Sequence, residues 1–130
     1  MAKKLDLSVK VGALELKNPL IAASGTFGYG SEFADFVDPA SYGAIAVKGL
    51  SLNPKEGNPM PRIVETPAGM LNAIGLENVG LKRFIEEKME YLRTLDTKVI
   101  ANFFGNTVDD YALMASRLSE VEGVDGIEMD

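Results

Sequence analysis

Four polar side chains stand where short apolar runs end. Ser24 follows the run 19–23, Lys48 follows 43–47, Asn102 follows 99–101, and Asp130 follows 126–129. They supply a hydroxyl, an ammonium, a carboxamide and a carboxylate, a set suited to binding a polar ligand. A fifth candidate is Asn72, the single amide in the apolar sequence Met70-Leu71-Asn72-Ala73-Ile74-Gly75-Leu76. The chain contains no histidine and no cysteine. Imidazole chemistry, thiolate ligation and a disulfide framework are therefore not available from these residues, and no metal site is expected.

Asn72 belongs to a long segment, 58–81, that is too rich in Pro and Gly to be an ordinary connector. Pro59, Pro61 and Pro67 fix backbone dihedrals, while Gly75 allows conformations that other residues avoid. Long loops in compact domains are either functional or disordered. Disorder requires low hydrophobicity and high net charge, and this segment has neither. It reads as an ordered loop that shapes a binding site.

The positioning elements follow from periodicity. Leu5, Leu7, Val9 and Val11 alternate with polar residues, Gly12-Ala13 interrupts, and Leu14 and Leu16 alternate again, so an N-terminal β-hairpin is expected. The runs 19–23, 43–47, 99–101 and 126–129 read as strands, the first three buried on both faces. Residues 62–66 read as a small strand inside the long loop. Residues 31–37 read as a short helix with Ser31 as N-cap. Apolar residues at 81, 84, 85, 89, 92 and 95 form a helical stripe. Thr107 and Asp110 resemble a capping box opening a helix whose apolar side is Tyr111, Met114, Leu118 and Val121, with Leu113 alongside; Gly123 ends it. Strand, helix, strand, helix, strand, helix, strand implies a parallel sheet covered by helices, an α/β fold. In such sheets ligands bind at the carboxyl ends of the strands, where Ser24, Lys48, Asn102 and Asp130 stand. Four strands leave exposed edges, and an eight-stranded barrel needs about 250 residues. The expectation is the first half of a (β/α)8 TIM barrel, 1–130 being the N-terminal half of one domain.

Composition narrows the partners. The chain of 130 residues has a net charge of −6, is 46% hydrophobic and 25% charged, as in an ordinary soluble domain. The acidic balance argues against nucleic acid or an anionic membrane as the main partner. No apolar run approaches a membrane span or a signal-peptide core, so the cytoplasm is the expected compartment. The glycines of 24–30 match neither GxGxxG nor a Walker A loop.

Single residues also have plain readings. Lys48 can be a solvated surface lysine, Asn72 a turn former, Ser24 the start of a turn, and Asn102 a cap on local backbone. Phe27, Tyr29, Phe33 and Phe36 read as packing residues. Arg62 reads as a partner for a carboxylate such as Glu65 or for loop carbonyls. Asp109-Asp110 and Glu86-Glu87 read as helix and surface charges.

Four stretches together, PLIAASGTFG (19–28), Val47-Lys48, GNPMPR (57–62) and MLNAIGLEN (70–78), resemble the class 1 dihydroorotate dehydrogenases. The likeness is greatest to the catalytic subunit of the NAD-linked type, class 1B, and covers essentially the whole chain. The resemblance implies a (β/α)8 barrel carrying FMN at the C-terminal mouth of its strands and oxidising dihydroorotate to orotate in pyrimidine biosynthesis. It implies flavin contacts at Ser24, Gly25, Lys48, Gly49, Asn102 and Asp130, and a substrate set of Lys48, Asn72, Ala73, Ile74, Gly75 and Leu76. Lysine charge suits a reduced flavin, and a carboxamide suits the edge of a pyrimidine. The family's base, a cysteine, is expected just after Asp130, so no catalytic base is assigned within these residues. Asp130 occupies a position that in the family is normally asparagine, and an ionised aspartate only accepts hydrogen bonds. Class 1B further implies a partner subunit carrying FAD and an iron–sulfur cluster. The alternative from a different class is an inactive half-barrel, a fragment or assembly module that covers its sheet edges as a homo-oligomer.

Overall fold

The computed structural model describes residues 5–130, so the first four residues of the 1–130 assignment lie outside it. Alternation at the start of the chain produces strands β1 (Val9–Val11) and β2 (Leu14–Leu16), paired antiparallel with Val9 opposite Leu16. Four strands form the parallel sheet: β3 (Ile21–Ala22), β4 (Ala44–Ala46), β7 (Lys98–Phe103) and β8 (Gly126–Met129), in that spatial order. Between β4 and β7 the long loop contains a second hairpin, β5 (Ile63–Thr66) and β6 (Gly69–Asn72).

Register decides which side chains meet. Ile45 lies opposite Val99, and Asn102 opposite Glu128. Because neighbouring residues of a strand point to opposite faces, Ala22, Ile45, Val47, Val99, Ala101 and Phe103 share one face. Helices cover that face through Phe84, Met89, Leu92, Met114 and Leu118, all at most 2% exposed. Burying each such Leu, Phe or Met contributes about 1.5–3 kcal/mol. Ala44, Ala46, Ile100, Asn102 and Glu128 occupy the opposite face, where a barrel has its interior.

The first covering helix carries a widened turn. It is α1 over Gly80–Arg83, a π-helical segment over Phe84–Lys88, and α2 over Met89–Leu92. Buried residues 81, 84, 89 and 92 are spaced three, five and three apart; the five-residue step fits the wider π turn, which keeps Phe84 and Met89 on one side. Helix α3 (Val108–Ser119) opens with the expected capping box. Thr107 Oγ1 accepts from Asp110 N at 3.1 Å, and Asp110 Oδ2 accepts from Thr107 N at 3.1 Å.

Four expectations are corrected. Residues 31–37 form no α-helix, only a 3₁₀ turn over Ser31–Phe33. Ser31 caps nothing: its hydroxyl lies 3.3 Å from Glu32 Oε2, which also accepts from Tyr29 N at 2.9 Å. Pro39 then opens a second 3₁₀ turn, leaving too little chain to repay helix nucleation. The run 19–23 is not buried on both faces. It supplies a two-residue edge strand, with Leu20 60% and Ile21 44% exposed, because β3 has a sheet neighbour on one side only among the described residues. Phe36 does not pack, being 86% exposed, whereas Phe33 stacks on Phe27 with ring centroids 5.1 Å apart. Helix α3 ends at Ser119, before Gly123.

Candidate functional site

Lys48 leaves the carboxyl end of β4 half-buried, and its backbone N donates to Gly28 O at 2.8 Å. That bond lays the 24–30 turn beside the strand end. Within the turn, Thr26 N and Thr26 Oγ1 both donate to Ala23 O, at 3.2 and 2.7 Å. Gly25 lies exposed with open space around it. The Lys48 ammonium enters no ion pair or hydrogen bond among the described residues, so its charge is available to a ligand.

Gly49 explains how the two strand ends fit together. A Cβ there would lie 2.7 Å from Asn102 Oδ1, so only a glycine lets the β4 end approach the Asn102 carboxamide this closely. Leu50 N donates to Asn102 O at 3.0 Å, which locks the segment after Lys48 to β7. Asn102 is 3% exposed, and its Nδ2 donates to Glu128 Oε2 at 2.8 Å. Asp130 follows on β8; its N donates to Phe103 O at 3.0 Å and its carbonyl accepts from Tyr111 Oη at 2.6 Å.

Apart from Lys48, the substrate set implied by the resemblance runs from the last residue of β6 into the loop before α1. Asn72 ends β6 exposed, with Oδ1 3.5 Å from Ile74 N, and no hydrogen bond joins it to Lys48 or Asn102 among the described residues. Ala73 N donates to Arg62 O at 2.8 Å, and Ile74 O accepts from Asn58 N at 2.9 Å. Gly75 and Leu76 follow with left-handed φ of 81° and 59°. Asn58 presses so close to Gly75 that a Cβ there would approach its Cγ to 2.8 Å. Neither the Gly75 nor the Leu76 N–H finds an acceptor among the described residues.

A buried asparagine ties this loop to the strand ends. Asn78, 5% exposed, accepts from Gly80 N at 2.9 Å and from Ser51 N at 3.2 Å, and donates to Leu76 O at 2.9 Å. Ser51 lies three residues past Lys48, so Asn78 fixes the end of the substrate set relative to the lysine. Arg62 adds a second anchor. It pairs with Glu77 rather than Glu65, and its Nη1 donates to Glu56 O at 3.1 Å and to Asn58 O at 3.3 Å. Beneath the hub, Tyr29 is 5% exposed and its Oη lies 3.4 Å from Val79 N; burial pushes its phenol pKa up. Asn78 and Glu128 carry interactions that sequence reading did not assign. Asn78 bonds locally to Gly80 and Leu76, but its partner Ser51 lies 27 residues away and the Glu128 partner Asn102 lies 26 away, so the only local signal was an amide placed just before a helix. Among the described residues no cluster of three or more His, Cys, Asp or Glu is placed to hold a metal, and no helix is long and apolar enough to cross a membrane.

Comparison with known proteins gives this geometry a family. A model of the dihydroorotate dehydrogenase family matches residues 6–129. A protein of Geotalea uraniireducens named dihydroorotate dehydrogenase B (NAD(+)), catalytic subunit, is 57% identical over 98% of this chain and 42% of its own length. Its counterpart in Geobacter sp. strain M21 is 58% identical over 96% of this chain and 41% of its own length. The chain thus spans about 42% of the length of the curated relatives it matches. In fold, it is similar to a dihydroorotate dehydrogenase of Eimeria tenella solved with ferulenol, with a TM-score of 0.70 at 20% identity over 95% of this chain and 36% of that one. That likeness and the parallel four-stranded sheet support the expected partial TIM barrel. With its sheet, its strand-end residues and a family match running almost end to end, this chain belongs to the dihydroorotate dehydrogenase family.

Proposed function

We propose that this chain is the N-terminal half of a single flavin-binding barrel that oxidises dihydroorotate to orotate in pyrimidine biosynthesis in the cytoplasm. The observation that carries the reading is the junction of Lys48, Gly49 and Asn102: an ammonium with no partner among the described residues, next in the chain to a close approach that a Cβ would fill. This junction fits FMN, which when bound supplies the acceptor for a hydride. Ser24, Gly25, Lys48, Gly49, Asn102 and Asp130 are the residues that would hold it. Lys48 places a positive charge where negative charge builds up. Asn72 offers both donor and acceptor to the pyrimidine edge. The unsatisfied N–H groups of Gly75 and Leu76 suit the carboxylate of the substrate, and Asn78 keeps them in place. A cysteine base just after Asp130 and a partner subunit with FAD and an iron–sulfur cluster complete the proposed reaction.

The test uses the full-length barrel carrying this chain. It is expected to be yellow, to change its flavin spectrum on adding orotate, and to lose affinity for FMN or orotate by about tenfold or more in Lys48→Ala, as for loss of a hydrogen bond to a charged group. A colourless full-length protein with no orotate-induced spectral change would refute the reading.

A second reading has an observation of its own. Leu20 and Ile21 on one sheet edge, and Ile127 (42%) and Met129 (70%) on the other, are exposed. They suit a half-barrel without activity that associates with copies of itself. A colourless oligomer of this chain in size-exclusion chromatography would favour it.

A further inference from the structure

We propose that Glu128 is a positioning residue that fixes which end of the Asn102 carboxamide faces the flavin; this rests on the flavin-binding reading above. Parallel register sets Glu128 directly opposite Asn102 on the sheet face turned away from the helices. The 2.8 Å contact runs from Asn102 Nδ2 to Glu128 Oε2. An ionised carboxylate only accepts, so the amide atom against it has to be the NH₂ group, and the carboxamide cannot flip without losing the bond.

The other end is thereby committed. Asn102 Oδ1 accepts no hydrogen bond among the described residues, yet no buried side-chain oxygen or nitrogen there lacks a partner, so Oδ1 keeps an opening to solvent. It opens beside Gly49, whose missing Cβ would lie 2.7 Å away. Asn102 therefore turns its acceptor toward Gly49, with its NH₂ group held on the Glu128 side by one of its two N–H donors, and favours a ligand edge that carries an N–H. A ring imide N–H, present in an isoalloxazine, has that chemistry. Glu128 thus selects the edge without touching it.

The experiment compares FMN affinity in the full-length holoenzyme carrying Glu128→Gln, Glu128→Ala or Asn102→Ala, and the double variant Asn102→Ala with Glu128→Ala. Glutamine keeps the size and can donate as well as accept, so it frees Asn102 to flip. FMN dissociation constants are expected to rise by about tenfold in Glu128→Ala and severalfold in Glu128→Gln, as for a charge-assisted hydrogen bond. In the Asn102→Ala background, Glu128→Ala is expected to add less than about twofold, the non-additivity of residues acting through one another. An amide NMR spectrum supplies the readout that mere folding would not move: the hydrogen-bonded Asn102 NH₂ resonance shifts in Glu128→Gln while the fold is retained. Unchanged FMN affinity in both Glu128 variants, or an undiminished effect without Asn102, would overturn the assignment. A wild-type protein that binds no FMN would instead overturn the flavin reading and this inference with it.

Discussion

Replacing Asn78 by alanine should destabilise the protein by about 2–6 kcal/mol. The side chain is 5% exposed and satisfies three backbone groups: the N–H of Gly80, the N–H of Ser51 and the carbonyl of Leu76. Leu76 is 56% exposed, so its carbonyl can turn to water. Gly80 and Ser51 are buried, and each orphaned donor costs about 1–3 kcal/mol. Ser51 Oγ loses the bond it accepts from Asn78 Nδ2 at 2.9 Å but keeps its own donation to Asn53 O at 2.8 Å, so the hydroxyl is not left without a partner. Asn78→Asp separates the two roles of the amide. Its carboxylate still accepts from Gly80 and Ser51 but faces the Leu76 carbonyl with no donor, so it should lose about half as much. Urea unfolding is the assay: with m of about 2 kcal/mol/M, the midpoint for Asn78→Ala should fall by roughly 1–3 M at unchanged m. A shift below about 0.5 kcal/mol, within the range of ordinary surface substitutions, would show that the hub does not hold the loop. An aspartate variant weaker than the alanine variant would show that accepting is not its main task.

Gly49→Ala places a methyl group 2.7 Å from Asn102 Oδ1; overpacking of this kind should cost about 1–3 kcal/mol, and FMN titration of the full-length protein should show weakened binding with the fold retained. Asp130→Asn should tighten flavin and orotate binding severalfold by removing a negative charge and restoring a donor, which parallel titrations would measure. Alkaline stability should also fall in a defined window. Burial raises the Tyr29 pKa above its ordinary 10.0, and the hydrogen bond to Asp125 raises that of Lys98 above 10.5. Both protonated forms are favoured by folding, so their contributions are complete below the unfolded values and vanish as pH rises through the folded ones. Urea midpoints measured from roughly pH 8 to 11 should decline above the first of these, and less steeply in Tyr29→Phe.

The parts that sequence patterning located are those whose environment is decided locally or by sheer apolarity. Residues 43–47 read as a buried strand because no polar side chain interrupts them, and Ala44, Ile45 and Val47 are fully buried. Thr107 and Asp110 announced a helix start because a capping box closes within four residues. Polar residues abruptly replacing apolar ones marked the strand ends at Lys48 and Asn102, which Gly49 and the Leu50 N–H bring side by side. Where the pattern failed, burial or pairing depended on a distant neighbour. Pro19 to Ala23 is as apolar as the next strand, but a strand at the edge has one side open. Strand β6 shows no alternation at all; its four residues are exposed, and only pairing with β5 makes them a strand.

Glu128 shows how this limit reaches the site. Between Ile127 and Met129 it has the alternation of a strand whose polar side faces water, and on that pattern it deserves no function. Parallel register with β7, set by partners 26 residues away, instead places it against Asn102. Residue type therefore marked Asn102 as a ligand-binding candidate, but which of its two polar ends is free depends on a carboxylate supplied by another strand. A strand-end amide can be found from sequence; its orientation, and with it the ligand edge it selects, is a property of the sheet.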